Sequence, residues 1–503
     1  MYPKSFLPAK RNVLLHQQWN DAASSLRMQI LEAASVADWV AIDILSVGLK
    51  NEFNNTLLIA VAPHSMSWHQ GHALALRCKA ILEEHGIEDV HCEIRESTMT
   101  FGDAPVDTPE DTHVDGPPED ASTNDSSSDP ACVPSDFQLS SEPITHTYYG
   151  KYHAAMSDRL GIKISLKDSD SPGNKGLYLA LSQPSAGDEP RVVVLTCRHD
   201  ILGPETEGLQ EYRHQESQPC KEVYQVPQTI YKRTLKRLPG IATDYRRTAR
   251  AAGLNRPDRA ASYTGRADKL ESLEQFMDRY KTPASRVFGH LLYSPELACA
   301  SDNTDGAKWL RDWALIELLP SRHQAQLSAL KNKVFAESVT SFLDAWHNTK
   351  VSSSVTFPES LVEGDAVWLE KAVVPMEELF TPPDDADDGD EKALLVIKHD
   401  AIDGIAFGLG NTLKSIIRRT DIGGREFISE EWCITSATRA GEHQKAFSSE
   451  ADSGLCILDA GRRVAGILTA GCGMNGSNTV TYAQPVERLL EDIRAHGYDV
   501  SLV

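Results

Sequence analysis

The chain has 503 residues, enough for about three domains at roughly 150 residues each, or two with long inserts. Its 41% hydrophobic and 24% charged composition is that of a globular protein with a sizeable core. Fifty Lys and Arg against 72 Asp and Glu leave a formal charge of −22, which opposes bulk binding to nucleic acid or an anionic membrane. No apolar run is long enough for a transmembrane helix, and MYPKSFLPAKRNVLLHQQW at the N-terminus lacks a signal-peptide core. The nine cysteines are scattered without a Cys-x-x-Cys pair, so neither a zinc site nor a disulfide framework is indicated. An intracellular, cytoplasmic setting is expected, with no cofactor and no metal.

Residues 1–102 read as a small α/β domain. ADWVAIDIL (37–45) alternates like a strand, and NTLLIAVAP (55–63) is an apolar, turn-bounded strand. SMSWHQGHALALRCKAILEEHG (65–86) has a helical apolar stripe ending at Gly86, and IEDVHCEIRES (87–97) alternates again. The result is strand–helix–strand. There is no Gly-rich phosphate loop, and His64 and His72 are read as surface or helix residues.

Residues 103–142 carry eleven acids and no Lys or Arg, with Asp, Pro, Ser and Thr dominating. Such a segment buries too little to offset chain entropy, so it is expected to be a disordered linker.

Residues 143–503 form the second unit. LGIKISL (160–166), KGLYLALS (175–182) and RVVVLTC (191–197) are strands at its start. ALLVIKHD (393–400), GLCILDA (454–460), RVAGILTAG (463–471) and TVTYAQP (479–485) are strands at its end, before an amphipathic helix at 486–497. Short strands between turn signals indicate an antiparallel barrel or sandwich. Between these ends lies a helical insert at about 205–285. Its stretch 231–286 holds fourteen Lys and Arg against six Asp and Glu. The segment 321–346 is predicted to be a further amphipathic helix, and about 376–392 an acidic loop. The basic insert offers three readings: a solvated helical face, a dock for the acidic linker in the same chain, or a nucleic-acid contact.

Three segments carry chemistry. In VVVLTCRHDIL (192–202) His199 sits where a strand ends. In WLRDWALIELL (309–319) Asp312 precedes an alternating strand. In SSEADSGLCILDAGRRVAGILTAG (448–471) Ser453 sits in a tight Asp-Ser-Gly turn. A serine hydroxyl attacks an acyl carbon well only when a base takes its proton, and a histidine can do so and then protonate the leaving amine. A buried carboxylate on the far ring nitrogen fixes the tautomer, and backbone amides beside the serine can hold the oxyanion. The order His, Asp, Ser separates this arrangement from the subtilisin and α/β-hydrolase orders.

These segments resemble the trypsin-like, chymotrypsin-fold serine peptidases, especially a divergent intracellular group seen in fungi. LTCRHDIL resembles the His motif, RDWALIEL the Asp motif, and EADSGLCILDAGRRVAGILTAG the Gly-Asp-Ser-Gly segment with its following strand; VTYAQPVERLLEDI resembles the closing strand and C-terminal helix. The resemblance implies a mainly β fold of two antiparallel barrels with helical inserts, preceded by the α/β domain. It implies His199 as base, Asp312 as orienting acid and Ser453 as nucleophile in hydrolysis of a protein or peptide through an acyl-enzyme. It implies an oxyanion hole of the Ala451 and Ser453 amides, a pocket floor at Phe447 and a pocket wall at Thr469, Ala470 and Gly471. No acid stands at the floor, so cleavage after Lys or Arg is not expected. The chain departs from the pattern at Ala451, where the family has Gly, and at Leu455, where it has a small residue. Two functions therefore stay open: an active endopeptidase, and an inactive descendant kept as a binding or regulatory module. No start sequence for N-terminal activation is evident, and Asp452 is expected to hydrogen-bond locally.

Overall fold

In a computed structural model the described residues are 4–49, 52–101, 138–141, 144, 150–167, 169, 171–182, 191–203, 209–253, 256–301, 308–336, 339–347, 349, 362–381, 393–400, 404–421, 423–437, 446–474 and 477–503. Nearly all of the acidic linker lies outside them. So does the acidic loop beyond Thr381.

The N-terminal unit begins with β1 (Ser5–Leu7), α1 (Val13–Asn20) and α2 (Ser25–Ala34). The hairpin of β2 (Trp39–Leu49) and β3 (Glu52–Val61) follows, then α3 (Trp68–Glu84), β4 (His91–Glu96) and β5 (Thr98–Thr100). Strand β4 runs parallel to β3, as a strand–helix–strand crossover requires. Ser67 caps α3 reciprocally with Gln70. Leu74, Cys78, Ile81 and Leu82 of α3 pack with Trp19, Ile42 and Ile59 in a core that also takes in Leu413 and Ile416 from the last part of the chain.

A nine-stranded sheet comes next in the chain. It starts with β6 (Lys163–Leu166), β7 (Gly173–Asn174), β8 (Leu177–Leu181) and β9 (Arg191–Thr196), after the short α4 (Gly150–Ala154). After α5 (Arg198–Leu202), β10 (Tyr212–Arg213) and β11 (Glu222–Gln225), the insert forms two long helices, α6 (Gln228–Ala252) and α7 (Pro257–Asp278). The helical reading of the insert thus holds for 228–278, while its first part contains strands. Leu238 and Ala242 of α6 and Leu270, Leu273 and Met277 of α7 form the seam. Some of its positive charge is taken up locally, for example by Arg246 with Glu271 at 2.6 Å. Strands β12 (Val287–Ser294), β13 (Cys299–Ser301), β14 (Lys308–Leu310) and β15 (Ala314–Leu318) follow. The sheet order is β26-β8-β9-β15-β12-β11-β6-β7, with β26 being the C-terminal Val500–Leu502.

The stretch 321–346 corrects the expected single helix. It breaks into 3₁₀ turns at Pro320–Arg322 and Leu327–Ala329, the strand β16 (Lys333–Phe335) and α8 (Val339–His347). Leu327, Leu330, Val334 and Phe342 are all buried in one core, so the apolar spacing marks core contacts and not one helix face. Strand β18 (Ala366–Trp368) pairs with β16 on one side and β17 (Val362–Glu363) on the other in a small sheet, and α9 (Met376–Phe380) follows.

The last part supplies β19 (Leu394–Asp400), β20 (Gly404–Gly410), β21 (Ser415–Thr420), β22 (Glu426–Ser436), β23 (Cys456–Asp459), β24 (Val464–Met474), β25 (Ser477–Pro485) and α10 (Val486–Ala495). Strands β20-β19-β23-β24-β25-β22 are neighbours in that order, and β20 also pairs with β22, which closes six strands into a ring. Strand β21 leads from β22 to β2, so the N-terminal unit continues the same sheet. The molecule is thus mainly β. Between the two large sheets, Leu195, Val193 and Ile316 of one pack with Leu458 and Ile467 of the other. The three chemistry-bearing segments end at that seam.

Candidate active site

Three strand ends bring the candidate residues together. His199 lies in the first turn of α5, just beyond β9. Asp312 lies between β14 and β15, and β15 pairs with β9 in the register Ala314 to Thr196, which sets the acid beside the histidine. Ser453 lies in the loop between β22 and β23.

His199 Nδ1 is 2.5 Å from Asp312 Oδ2, and the His199 amide donates to Asp312 Oδ1 at 2.9 Å. The carboxylate therefore fixes both the ring and its backbone. Arg419 Nη1, from the end of β21, donates to Asp312 Oδ2 at 3.1 Å. Burial works to raise the Asp312 pKa, but His199 and then Arg419 overcome it and hold the carboxyl well below the usual range. Burial likewise works to lower the His199 pKa, but Asp312 and Asp200 more than reverse it, so the ring titrates above the ordinary histidine value.

The hydroxyl of Ser453 does not point its proton at the histidine. Ser453 Oγ donates to Asp200 Oδ1 at 2.7 Å, and His199 Nε2 lies 3.2 Å from the same oxygen. One carboxylate oxygen thus contacts both groups. Burial pushes the Asp200 carboxyl up to about 6, against the lowering pull of His199 and of the Ser453 hydrogen bond. Asp200 was not singled out from the sequence, although an acid directly after the histidine of CRHDIL was visible there.

The serine loop is held by charge. Lys398 forms a buried ion pair with Asp452, and the Asp452 carboxylate also accepts the Ser449 amide at 2.7 Å. Asp452 therefore bonds locally as expected and has a distant lysine besides. Lys163 donates to the Ala451 carbonyl and sits 3.3 Å from Asp400. Asn174 Nδ2 donates to the carbonyls of Ala451 at 2.9 Å and Ser453 at 2.6 Å. In β19 side chains alternate, so Lys398 and Asp400 share a face and both serve this loop.

Gly454 has φ of +84°, and a Cβ there would stand 2.8 Å from Thr196 Oγ1, so only glycine fits this turn. Ala451 has no positive φ; the described residues with side chains in that region are His64, Val226 and Arg462. Its methyl group therefore sits in ordinary backbone space. Among the described residues neither the Ala451 nor the Ser453 amide has a hydrogen-bond partner.

The expected pocket residues have mixed fates. Phe447 is buried with Trp432, Ile434, Leu455 and Leu468 in a core beneath the loop. Thr469 Oγ1 lies 3.4 Å from Glu431 Oε2 and 3.3 Å from the Tyr482 carbonyl. Ala470 packs in another core with Tyr482 and Cys472. Gly471 pairs with Thr100 of β5. Cys197 and Cys456, near the site on either side, are buried free thiols.

Among the described residues no cluster of His, Cys, Asp and Glu is arranged to hold a metal ion. No described helix is long and apolar enough to cross a membrane.

No protein-family model matches the chain, and no curated protein matches it. Among solved structures, one similar chain is a glutamic-acid-specific serine protease described as using a histidine triad in substrate binding. It is 10% identical, covers 68% of this chain and 99% of its own, and superposes with a TM-score of 0.27.

Proposed function

We propose that this protein is a serine endopeptidase of the trypsin-like, two-barrel type. Ser453 attacks the scissile carbonyl, His199 accepts its proton through Nε2, and Asp312 holds the imidazolium. The Ala451 and Ser453 amides take the oxyanion, and water then hydrolyses the acyl-enzyme with His199 as base. The observation that carries this reading is the buried His199–Asp312 pair at 2.5 Å, with Ser453 Oγ and His199 Nε2 both against one oxygen of Asp200, at 2.7 and 3.2 Å. The loop amides are already free of partners among the described residues. Phe447 beneath the serine loop, in place of an acid, supports substrates other than Lys or Arg at the cleaved residue.

The Ser453–Asp200 bond also favours a second reading, in which the fold is kept as a binding or regulatory module and the serine is not turned over. A fluorophosphonate probe separates the two. It is expected to label the wild-type chain and not Ser453→Ala. Absence of labelling on a folded wild type, under conditions that free the cleft, overturns the endopeptidase reading.

A further inference from the structure

Strand β24 has two edges. One is covered along its length by β25. The other pairs with β23 only from Val464 to Ile467. Beyond that point Leu468 exchanges bonds with the serine loop: Gly454 N–H donates to the Leu468 carbonyl at 2.7 Å, and Leu468 N–H to Leu455 at 2.9 Å. The edge that continues past the serine loop, Gly471–Gly473, is a place where an extended chain can add as a strand, its backbone supplying affinity and its side chains the choice of partner.

That place is filled by the protein itself. Thr98, Met99 and Thr100 of β5 pair antiparallel with Gly473, Cys472 and Gly471. Thr100 Oγ1 reaches the Gly471 carbonyl at 3.2 Å and Asn478 Oδ1 at 3.1 Å. Asn478 comes so close that a Cβ on residue 471 would meet its Nδ2 at 2.0 Å, so a larger residue there would have to push the Asn478 amide aside. Because the pairing is antiparallel, the chain leaving Thr100 heads toward the serine loop. Its next residue, Phe101, sets its ring edge-on to His199 at 6.2 Å, and the Arg419 guanidinium lies 4.4 Å from the same ring. The segment thus contacts the candidate base and the arginine that supports Asp312. His199, Asp312 and Ser453 are each only 2% exposed.

We propose that Thr98–Phe101 is a tethered competitor that occupies the Gly471–Gly473 edge in place of an extended peptide, with Phe101 filling the His199–Arg419 face. This deepens the endopeptidase reading by naming what controls access to its site, and only the hydrolytic consequence rests on that reading. A free peptide must displace β5, so access to the site is controlled from within the chain.

The test uses the full chain and a fluorescein-labelled hexapeptide of sequence Glu-Ser-Thr-Met-Thr-Phe, matching residues 96–101. Binding is read by anisotropy in a Ser453→Ala background, where no turnover interferes. Phe101→Asp removes the aromatic anchor, and Met99→Pro removes an amide from the pairing strand as an independent second variant. The chains carrying a β5 variant are expected to bind the peptide at least tenfold more tightly than the chain with intact β5. Equal affinity with and without the β5 substitutions, or no binding to any of the folded chains, overturns the inference. Fluorophosphonate labelling of the same β5 variants with Ser453 restored is read separately. Peptide binding without labelling leaves the binding edge standing and removes the nucleophile, whereas labelling without competition does the reverse.

Discussion

Ser453 donates its hydroxyl proton to Asp200, the neighbour of the histidine expected to receive it. A hydrogen bond to a charged acceptor is worth about 1.5–3 kcal/mol, and it holds the Ser453 hydroxyl in its protonated state. Asp200→Ala removes that acceptor and leaves His199 Nε2 as the nearest base. Its fluorophosphonate labelling is expected to be about tenfold faster than wild type, from roughly 1.4 kcal/mol of released restraint. Slower labelling would instead assign Asp200 a supporting part in activating the serine.

The same carboxylate acts on the ring. His199 must be unprotonated at Nε2 to serve as base, and Asp312 and Asp200 both favour the charged imidazolium. Labelling is therefore expected to rise with pH through a midpoint above the ordinary histidine value of about 6.5. In Asp200→Ala one of the two carboxylates is gone, so the midpoint moves to lower pH. A pH profile of labelling for both chains checks this; coincident midpoints would mean that the Asp200 charge does not reach the ring.

Lys398 and Asp452 have side chains only 3% and 1% exposed, so neither is solvated if its partner is removed. Lys398→Met leaves a buried carboxylate unpaired, a loss of about 3–5 kcal/mol. Thermal unfolding should show a clear drop in midpoint. The double substitution Lys398→Met with Asp452→Leu replaces the pair by apolar groups and is expected to recover most of the stability. It should not recover labelling, because the Asp452 carboxylate also holds the Ser449 amide at the entrance to the serine loop. Recovery of both would show that the ion pair only fills space.

How much of this was legible in the sequence follows from range. The strand–helix–strand of 37–97 and the helices at 228–278 rest on local periodicity, and the sequence carries that pattern. His199, Asp312 and Ser453 stood out because each ends or precedes an apolar strand in a recognisable string. Arg419, Lys163 and Asn174 did not, since the site groups they bond lie between 107 and 288 residues away and nothing local marks them; Asp200 adjoins His199 in the chain, but its bond to Ser453 spans 253 residues. The segment 321–346 misled for the opposite reason: its apolar spacing fits a helix, but tertiary contacts spread Leu327, Val334 and Phe342 over turns, a strand and a separate helix. The β5 strand is three residues long, below what alternation can reveal.

Glu431 is a fully enclosed acid behind the segment expected to line the pocket. Burial, with the Asp312 charge as the next contribution, pushes its pKa up to about 8, while Thr469, Gln484 and Ser429 pull it down. Its unfolded value is near 4.5, so between about 4.5 and 8 the unfolded chain gives up a proton that the folded chain keeps. Stability contributed by this group is therefore full below pH 4.5 and falls as pH rises through about 8. Glu431→Gln keeps the shape and cannot ionise. At pH 9 the variant is expected to be more stable than wild type by a few kcal/mol in order of magnitude, and so to unfold at a higher temperature, and at pH 5 the two should coincide. Thermal unfolding at both pH values checks the sign. A variant less stable at pH 9 would mean that the wild-type carboxylate is ionised and paired in the folded state, with its charge compensated close to Thr469.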